Sequence, residues 1–162
     1  MLEEKEQPRI IILGVGNLLL RDEGVGIHFV QSLNKDDLLL KADSYRLSII
    51  DGGTSPEIIS LVEGAAKLII IDAVKGGKKG GTIYRFSSDD INLDSPVRLS
   101  LHQMGIVDSL KLLKAMGKQP KSVVIIGIEP KKLALGLKLS PEIEEKLPEL
   151  KRLLIQEIKE VE

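Results

Sequence analysis

The sequence predicts an α/β fold: three layers, α/β/α, around a twisted, mostly parallel sheet of about five strands. Short runs nearly continuous in Ile, Leu and Val suit strands buried on both faces. Helical patterns separate those runs, and each run closes on Gly, Asp or Glu-Pro. Strand alternating with helix implies right-handed crossovers and parallel neighbours.

The first strand is Arg9 to Val15 ("RIIILGV"). A loop follows, and then a helix from Val25 to Leu33 with Ile27, Val30 and Leu33 on one stripe. Tyr45 to Asp51 ("YRLSIID") is the second strand. The next helix, Pro56 to Val62, begins with Ser55-Pro56-Glu57: an N-cap hydroxyl, a proline at the first helical position, and an acid in the positive first turn. Lys67 to Val74 ("KLIIIDAV") is the third strand. Gly80 to Ser87 ("GGTIYRFS") reads as an added edge strand that can run antiparallel. Ser87 to His102 has no period and reads as a long loop, a feature often functional in a compact domain. A helix over Met104 to Met116 leads to the strand Lys121 to Ile128 ("KSVVIIGI"). Pro141 to Val161, opened by Ser140-Pro141-Glu142, reads as one long closing helix.

The 162 residues, 43% of hydrophobic type, suffice for one core and one domain, residues 1–162. A net charge of −1 without a basic block gives no support for a nucleic-acid or anionic-membrane partner. No apolar run reaches the roughly 18 to 20 residues that span a bilayer. The N-terminal "MLEEKEQPR" does not resemble a secretory signal. A soluble, cytoplasmic monomer is expected. With no Cys, thiol nucleophiles, disulfides and Cys-ligated zinc are excluded.

Ligands of open parallel sheets bind at the C-terminal ends of the strands. Four residues converge on that edge by position: Glu23 after the first strand, Asp51 ending the second, Asp72 near the end of the third, and His102 just before a helix. Each also has a plain structural reading. Asp51 before Gly52-Gly53-Thr54 forms turns readily. Asp22 and Glu23 precede a helix, where either can serve the dipole, and only one need be functional. His102 could cap or sit in a loop, and His28 reads as solvent-facing beside Gln31 and Ser32. Asp72 is harder to dismiss, because an ionised carboxylate beside a buried run is costly unless paired, hydrogen-bonded or on a metal. Two carboxylates and an imidazole would form an oxygen- and nitrogen-donor site for a divalent transition metal with open positions, its identity undecided among Zn, Ni, Fe, Mn and Co. The loop "GVGNLL" lacks the third glycine of a dinucleotide fingerprint, and its two acids would repel a phosphate. Leu18-Leu19-Leu20 reads as packing under the first helix, with partner binding as the other possibility.

"LGVGNLLLRDEGVG", "DGGTSPE", "LIIIDAV", "SLHQMG" and "VVIIGIEP" occur in the order and spacing of the hydrogenase maturation endopeptidases, the processing proteases of [NiFe] hydrogenase large subunits. The resemblance runs from about Arg9 to the last helix. It implies a phosphorylase/hydrolase-like fold and removal of a C-terminal extension from a large-subunit precursor already loaded with nickel. It carries the family's metal-binding Glu, Asp and His onto Glu23, Asp72 and His102, and its Asp before Gly-Gly-Thr onto Asp51, a candidate general base. Nickel would be supplied by the substrate, although another divalent metal could substitute. Pro56 stands where many relatives have Gly, which puts a backbone contact to the substrate tail in question. Two other classes stay open: a non-enzymatic nickel-binding assembly factor for the large subunit, and a nucleotide-binding α/β domain.

Overall fold

The computed structural model describes residues 6–38, 44–54, 59–87, 90 and 101–161, and excludes the side chains of 59 and 101–104. Five strands form one sheet: β1 (Arg9–Gly14), β2 (Arg46–Asp51), β3 (Lys67–Ala73), β4 (Ile83–Ser87) and β5 (Val123–Ile128), in the order β2-β1-β3-β5-β4. All pairings are parallel except β4 with β5. The edge strand expected from "GGTIYRFS" is thus present and antiparallel. Helices α1 (Val25–Ser32), α2 (Lys35–Leu38), α3 (Ile59–Val62), α4 (Leu101–Ala115), α5 (Pro141–Glu144) and α6 (Leu147–Lys159) complete the described elements.

The pleat sends alternate residues to opposite faces. Ile10, Ile12, Ile69, Ile71, Val124 and Ile126 join Phe29 of α1 and Leu150, Leu154 and Ile158 of α6 in one core cluster. Ile11, Leu13, Leu68, Ile70, Val123 and Ile125 join Val62 of α3 and Ile106 and Leu113 of α4 in a second. This is the three-layer arrangement expected. Every residue of β3 and β5 is buried, which explains why those runs carry almost no polar residue before their last turn.

The helices depart from expectation in three places. The closing helix Pro141–Val161 divides into α5 and α6, because Pro148 has no N–H to donate and its ring crowds the carbonyl four residues back. Helix α4 starts at Leu101, a turn before Met104, so residue 102 lies within its first turn rather than ahead of it. Propagation through residues 101–104 outweighs the roughly 1 kcal/mol cost of Gly105. Helix α2 has no counterpart in the sequence reading. Residues 55–58 at the start of the Pro56–Val62 helix, and most of the Ser87–His102 loop, lie outside the described residues.

Candidate functional site

Strand β1 connects through α1 to β2 on one side, while β3 leads to β4 and β5 on the other. Connections therefore part between β1 and β3, and in open sheets of this kind the crevice that takes a ligand lies at the C-terminal ends of the strands flanking such a point. Glu23 follows β1 and Asp72 closes β3, one on each side of that crevice.

Glycines bring the backbone together there. Gly16 N donates to Gly53 O at 3.0 Å, tying the loop after β1 to the loop after β2. A Cβ on Gly16 would stand 2.1 Å from Glu23 O, at a φ of 147° that side chains rarely adopt. Gly26 lets α1 settle onto the strand ends: a Cβ there would lie 2.2 Å from Ile71 O and 2.4 Å from Val15 O. Only a bare backbone allows the turn carrying Glu23 to pack so close to β3.

The adjacent acids have different surroundings. Asp22, in the 3-10 turn Arg21–Gly24, is fully buried. Its Oδ2 accepts from Lys131 N at 2.9 Å, Lys132 N at 2.7 Å and Ser140 Oγ at 2.8 Å, and its Oδ1 accepts from Ser140 N at 2.7 Å. Asp22 N returns a bond to Lys132 O at 3.2 Å. Asp22 is therefore a clamp between the loop after β1 and the segment after β5. Glu23, its neighbour, is half-buried at the rim. Local sequence could not choose between them, since the donors to Asp22 come from more than a hundred residues away.

Asp72 is fully buried, and its Oδ1 accepts from Ala73 N at 2.7 Å. Alternation along β3 places it on the α3/α4 side of the sheet. Alternation along β2, with Leu47 and Ile49 on the α1 side, places Asp51 on the other. Asp51 is exposed: its Oδ2 accepts from Gln31 Nε2 of α1 at 3.1 Å, and its Oδ1 from Gly53 N at 3.0 Å. Asp51 and Ile71 both register against Gly14. Two strand spacings, about 10 Å, thus separate Asp51 from the end of β3. Two strands apart and on opposite faces of the sheet, Asp51 and Asp72 do not converge. Gln31, which orients it, was not singled out in the sequence.

The side chain of His102 lies outside the described residues. Its helix runs back along the sheet to the N-terminal edge, where Lys121 N bonds Ala65 O at 2.9 Å, so its first turn belongs to the crevice end. Among the described residues no three His, Cys, Asp or Glu side chains gather closely enough to hold a metal ion. A three-ligand set on Glu23 and Asp72 therefore needs a donor from outside them. The chemistry of the two carboxylates suits a hard or intermediate divalent cation.

Two further groups shape the surroundings. Glu129, buried after β5, accepts from Gly76 N at 2.6 Å, Gly77 N at 3.3 Å and Tyr84 Oη at 2.7 Å, fixing the turn after β3. Burial, the hydrogen bond to Glu129 and its charge push the Tyr84 phenol up to about 12. His28, expected to face solvent, is half-buried, with Nε2 enclosed and lacking a hydrogen-bond partner among the described residues. The short helix α1 is buried around most of its circumference, at Val25, Gly26, Ile27, Phe29 and Val30, and that burial reaches His28. No described helix is long and apolar enough to cross a membrane.

The family model described as hydrogenase maturation protease matches residues 27–157. The hydrogenase 2 maturation protease of Escherichia coli K12 is 33% identical over 138 residues, 84% of this chain and 82% of that protein. The hydrogenase expression/formation protein HupD of Thiocapsa roseopersicina is 34% identical over 146 residues, and the match spans 88% of this chain but 64% of that protein. Among solved structures, the hydrogenase maturating endopeptidase HybD from E. coli superposes with a TM-score of 0.81 at 29% identity, covering 94% of this chain and 93% of that one. The HybD protease of Thermococcus kodakarensis gives 0.67 at 30% identity, covering 91% and 99%. With this crevice, this strand order and these relatives, the chain belongs to the hydrogenase maturation protease family.

Proposed function

We propose that the chain is an endopeptidase that removes the C-terminal extension of a nickel-loaded [NiFe] hydrogenase large-subunit precursor. Glu23, Asp72 and His102 grip the nickel carried by the substrate. What supports this reading is a half-buried Glu23 in the turn after β1 and a buried Asp72 near the end of the neighbouring β3, both at the C-terminal edge of the sheet. Negative charge held there suits a cation and opposes an anion.

Docking the substrate's nickel brings its peptide bond beside the rim. Proximity of this kind is worth several kcal/mol of barrier, up to about 7 to 11 in well-oriented systems. The cation can polarise the scissile carbonyl. Asp51 retains lone pairs beyond those bonded to Gln31 and Gly53, so it can take a proton from a water on the crevice side. A precursor without nickel lacks the anchor and keeps its tail, which makes the reaction a checkpoint on metal loading.

The test is the mass of purified precursor after incubation with the protein, with and without nickel loading. A discrete loss confined to the loaded form is expected. Stable complex formation without mass loss would replace the enzyme with an assembly factor. Glu23→Gln, Asp72→Asn and His102→Ala should each abolish cutting in a protein that circular dichroism shows folded; full activity in all three would remove the site.

A further inference from the structure

Two segments meet beside Glu23. Leu20 pairs with Gly136 in an isolated parallel bridge. Gly136 N donates to Leu19 O at 2.9 Å, and Arg21 N to Gly136 O at 3.0 Å. Leu19 is thereby set against the stretch from Leu135 to Leu137, at roughly the 4.8 Å spacing of adjacent strands. Single exposed leucines are common on protein surfaces. Here three stand together in water: Leu19 is 60%, Leu135 83% and Leu137 66% exposed.

The backbone beneath them is fixed. Asp22 ties the first segment to Lys131, Lys132 and Ser140, which bracket the second. The ridge is preformed, so a partner meeting it loses little to ordering on this side. At such exposure the leucines project outward rather than line a pocket, which suits another polypeptide better than a small molecule.

Apart from Glu23 and the paired Glu142, the exposed charges beside the ridge are positive. Lys132 and Lys138 are exposed on either side of the apolar stretch, and neither they nor Arg21 has an ion-pair partner among the described residues. Lys131, by contrast, is paired with Glu142. The Arg21 side chain lies over Gly136, with Cγ 3.0 Å from where a Cβ would stand, and its Nε is buried without a hydrogen-bond partner among the described residues. Two exposed, unpaired lysines and the half-buried Arg21 around three leucines call for a partner that is both apolar and acidic.

We propose that this ridge docks a segment of the substrate polypeptide in which apolar side chains alternate with carboxylates. The leucines receive the apolar groups, and Arg21, Lys132 and Lys138 meet the acids. The inference rests on the endopeptidase reading, because a polypeptide held at Glu23 must pass the turn that begins at Arg21.

Processing kinetics and calorimetric binding of the nickel-loaded precursor test it, with wild type, Leu135→Glu/Leu137→Glu and Lys132→Glu/Lys138→Glu. All four side chains stand in solvent, so melting curves by circular dichroism should match wild type. KM and Kd should rise about tenfold in each double variant with kcat within about twofold, as for loss of a docking contact remote from the chemistry. Wild-type binding should weaken with added salt. Unchanged KM and Kd in both variants, beside a wild type that cuts, would overturn the ridge and leave the endopeptidase standing. A wild type that neither binds nor cuts would overturn both. A wild-type dimer in light scattering that Leu135→Glu/Leu137→Glu makes monomeric would assign the ridge to a second copy and overturn the substrate assignment.

Discussion

Asp22 and Ser140, 118 positions apart in the chain, are joined twice: Ser140 N donates to Oδ1 at 2.7 Å, and Ser140 Oγ to Oδ2 at 2.8 Å. Both residues are buried, so water cannot replace either bond. Asp22→Ala should lower unfolding free energy by about 3 kcal/mol or more, because it leaves several buried donors without an acceptor. Ser140→Ala should cost roughly 1 kcal/mol, and a double-mutant cycle in urea should show strong coupling. A fully stable Asp22→Ala would show that the clamp carries no load.

The glycine contacts at the crevice make a second, steric prediction. Gly26→Ala drives a methyl into Ile71 O and Val15 O, and Gly16→Ala into Glu23 O at a positive φ. Each should cost about 3 kcal/mol or more, through backbone displacement. Gly77→Ala is the control: its φ is 79° but nothing lies within 4 Å of the added atom, so only the backbone penalty of about 1 kcal/mol remains. Comparable urea midpoints for all three would contradict the packing described.

Beneath the opposite end of the sheet, Glu157 holds two cations. Lys67 Nζ donates to its Oε2 at 2.6 Å and to its backbone carbonyl at 2.9 Å, and Arg85 Nε donates to Oε1. Burial pushes the Glu157 carboxyl up, but the hydrogen bonds from Arg85 and Lys67 outweigh it and leave the group below its ordinary value. Its contribution to stability is therefore present above the ordinary glutamate range, near pH 4.3, and is lost as pH falls through the lower folded value. Glu157→Gln should cost about 3 kcal/mol at neutral pH, because it removes the carboxylate from a buried ion pair with Lys67. The same change should flatten the acid limb of a stability-versus-pH curve measured by urea titration.

Tyr84 gives the alkaline counterpart. Its phenol, pushed up to about 12 by burial and by Glu129, favours the protonated form in the folded protein. The associated stability is complete below the ordinary phenol value near 10 and is lost as pH rises towards the folded one. Tyr45→Phe leaves Tyr84 as the only tyrosine of the two in the chain, so ultraviolet titration of phenolate reads it alone. Glu129→Gln in that background should move the midpoint down; an unmoved midpoint would dissociate the two groups.

Much of the fold was legible because its causes are local. Short β-branched runs bounded by turn residues suit strands covered on both sides, and "RIIILGV", "KLIIIDAV" and "KSVVIIGI" became β1, β3 and β5 within two residues of their expected ends. The edge strand also followed from its composition and the turn before it, while its antiparallel direction was decided by the pairing with β5. The unbroken closing helix failed on Pro148, whose missing donor outweighed the amphipathic period around it.

By itself the sequence determined which residues stand at strand ends, since strand length and turn chemistry set that, and so it placed Glu23, Asp51 and Asp72 at one edge of a parallel sheet. Tertiary structure alone decided what each could do there. Burial and hydrogen bonding depend on segments distant along the chain: the turn at Lys131–Lys132 and Ser140 claims Asp22 and leaves Glu23 at the rim, while β1, lying between β2 and β3, sets Asp51 about 10 Å from the end of β3, where Gln31 of α1 donates to it. Two adjacent carboxylates look alike in one dimension, and they differ once a packed interior surrounds one of them.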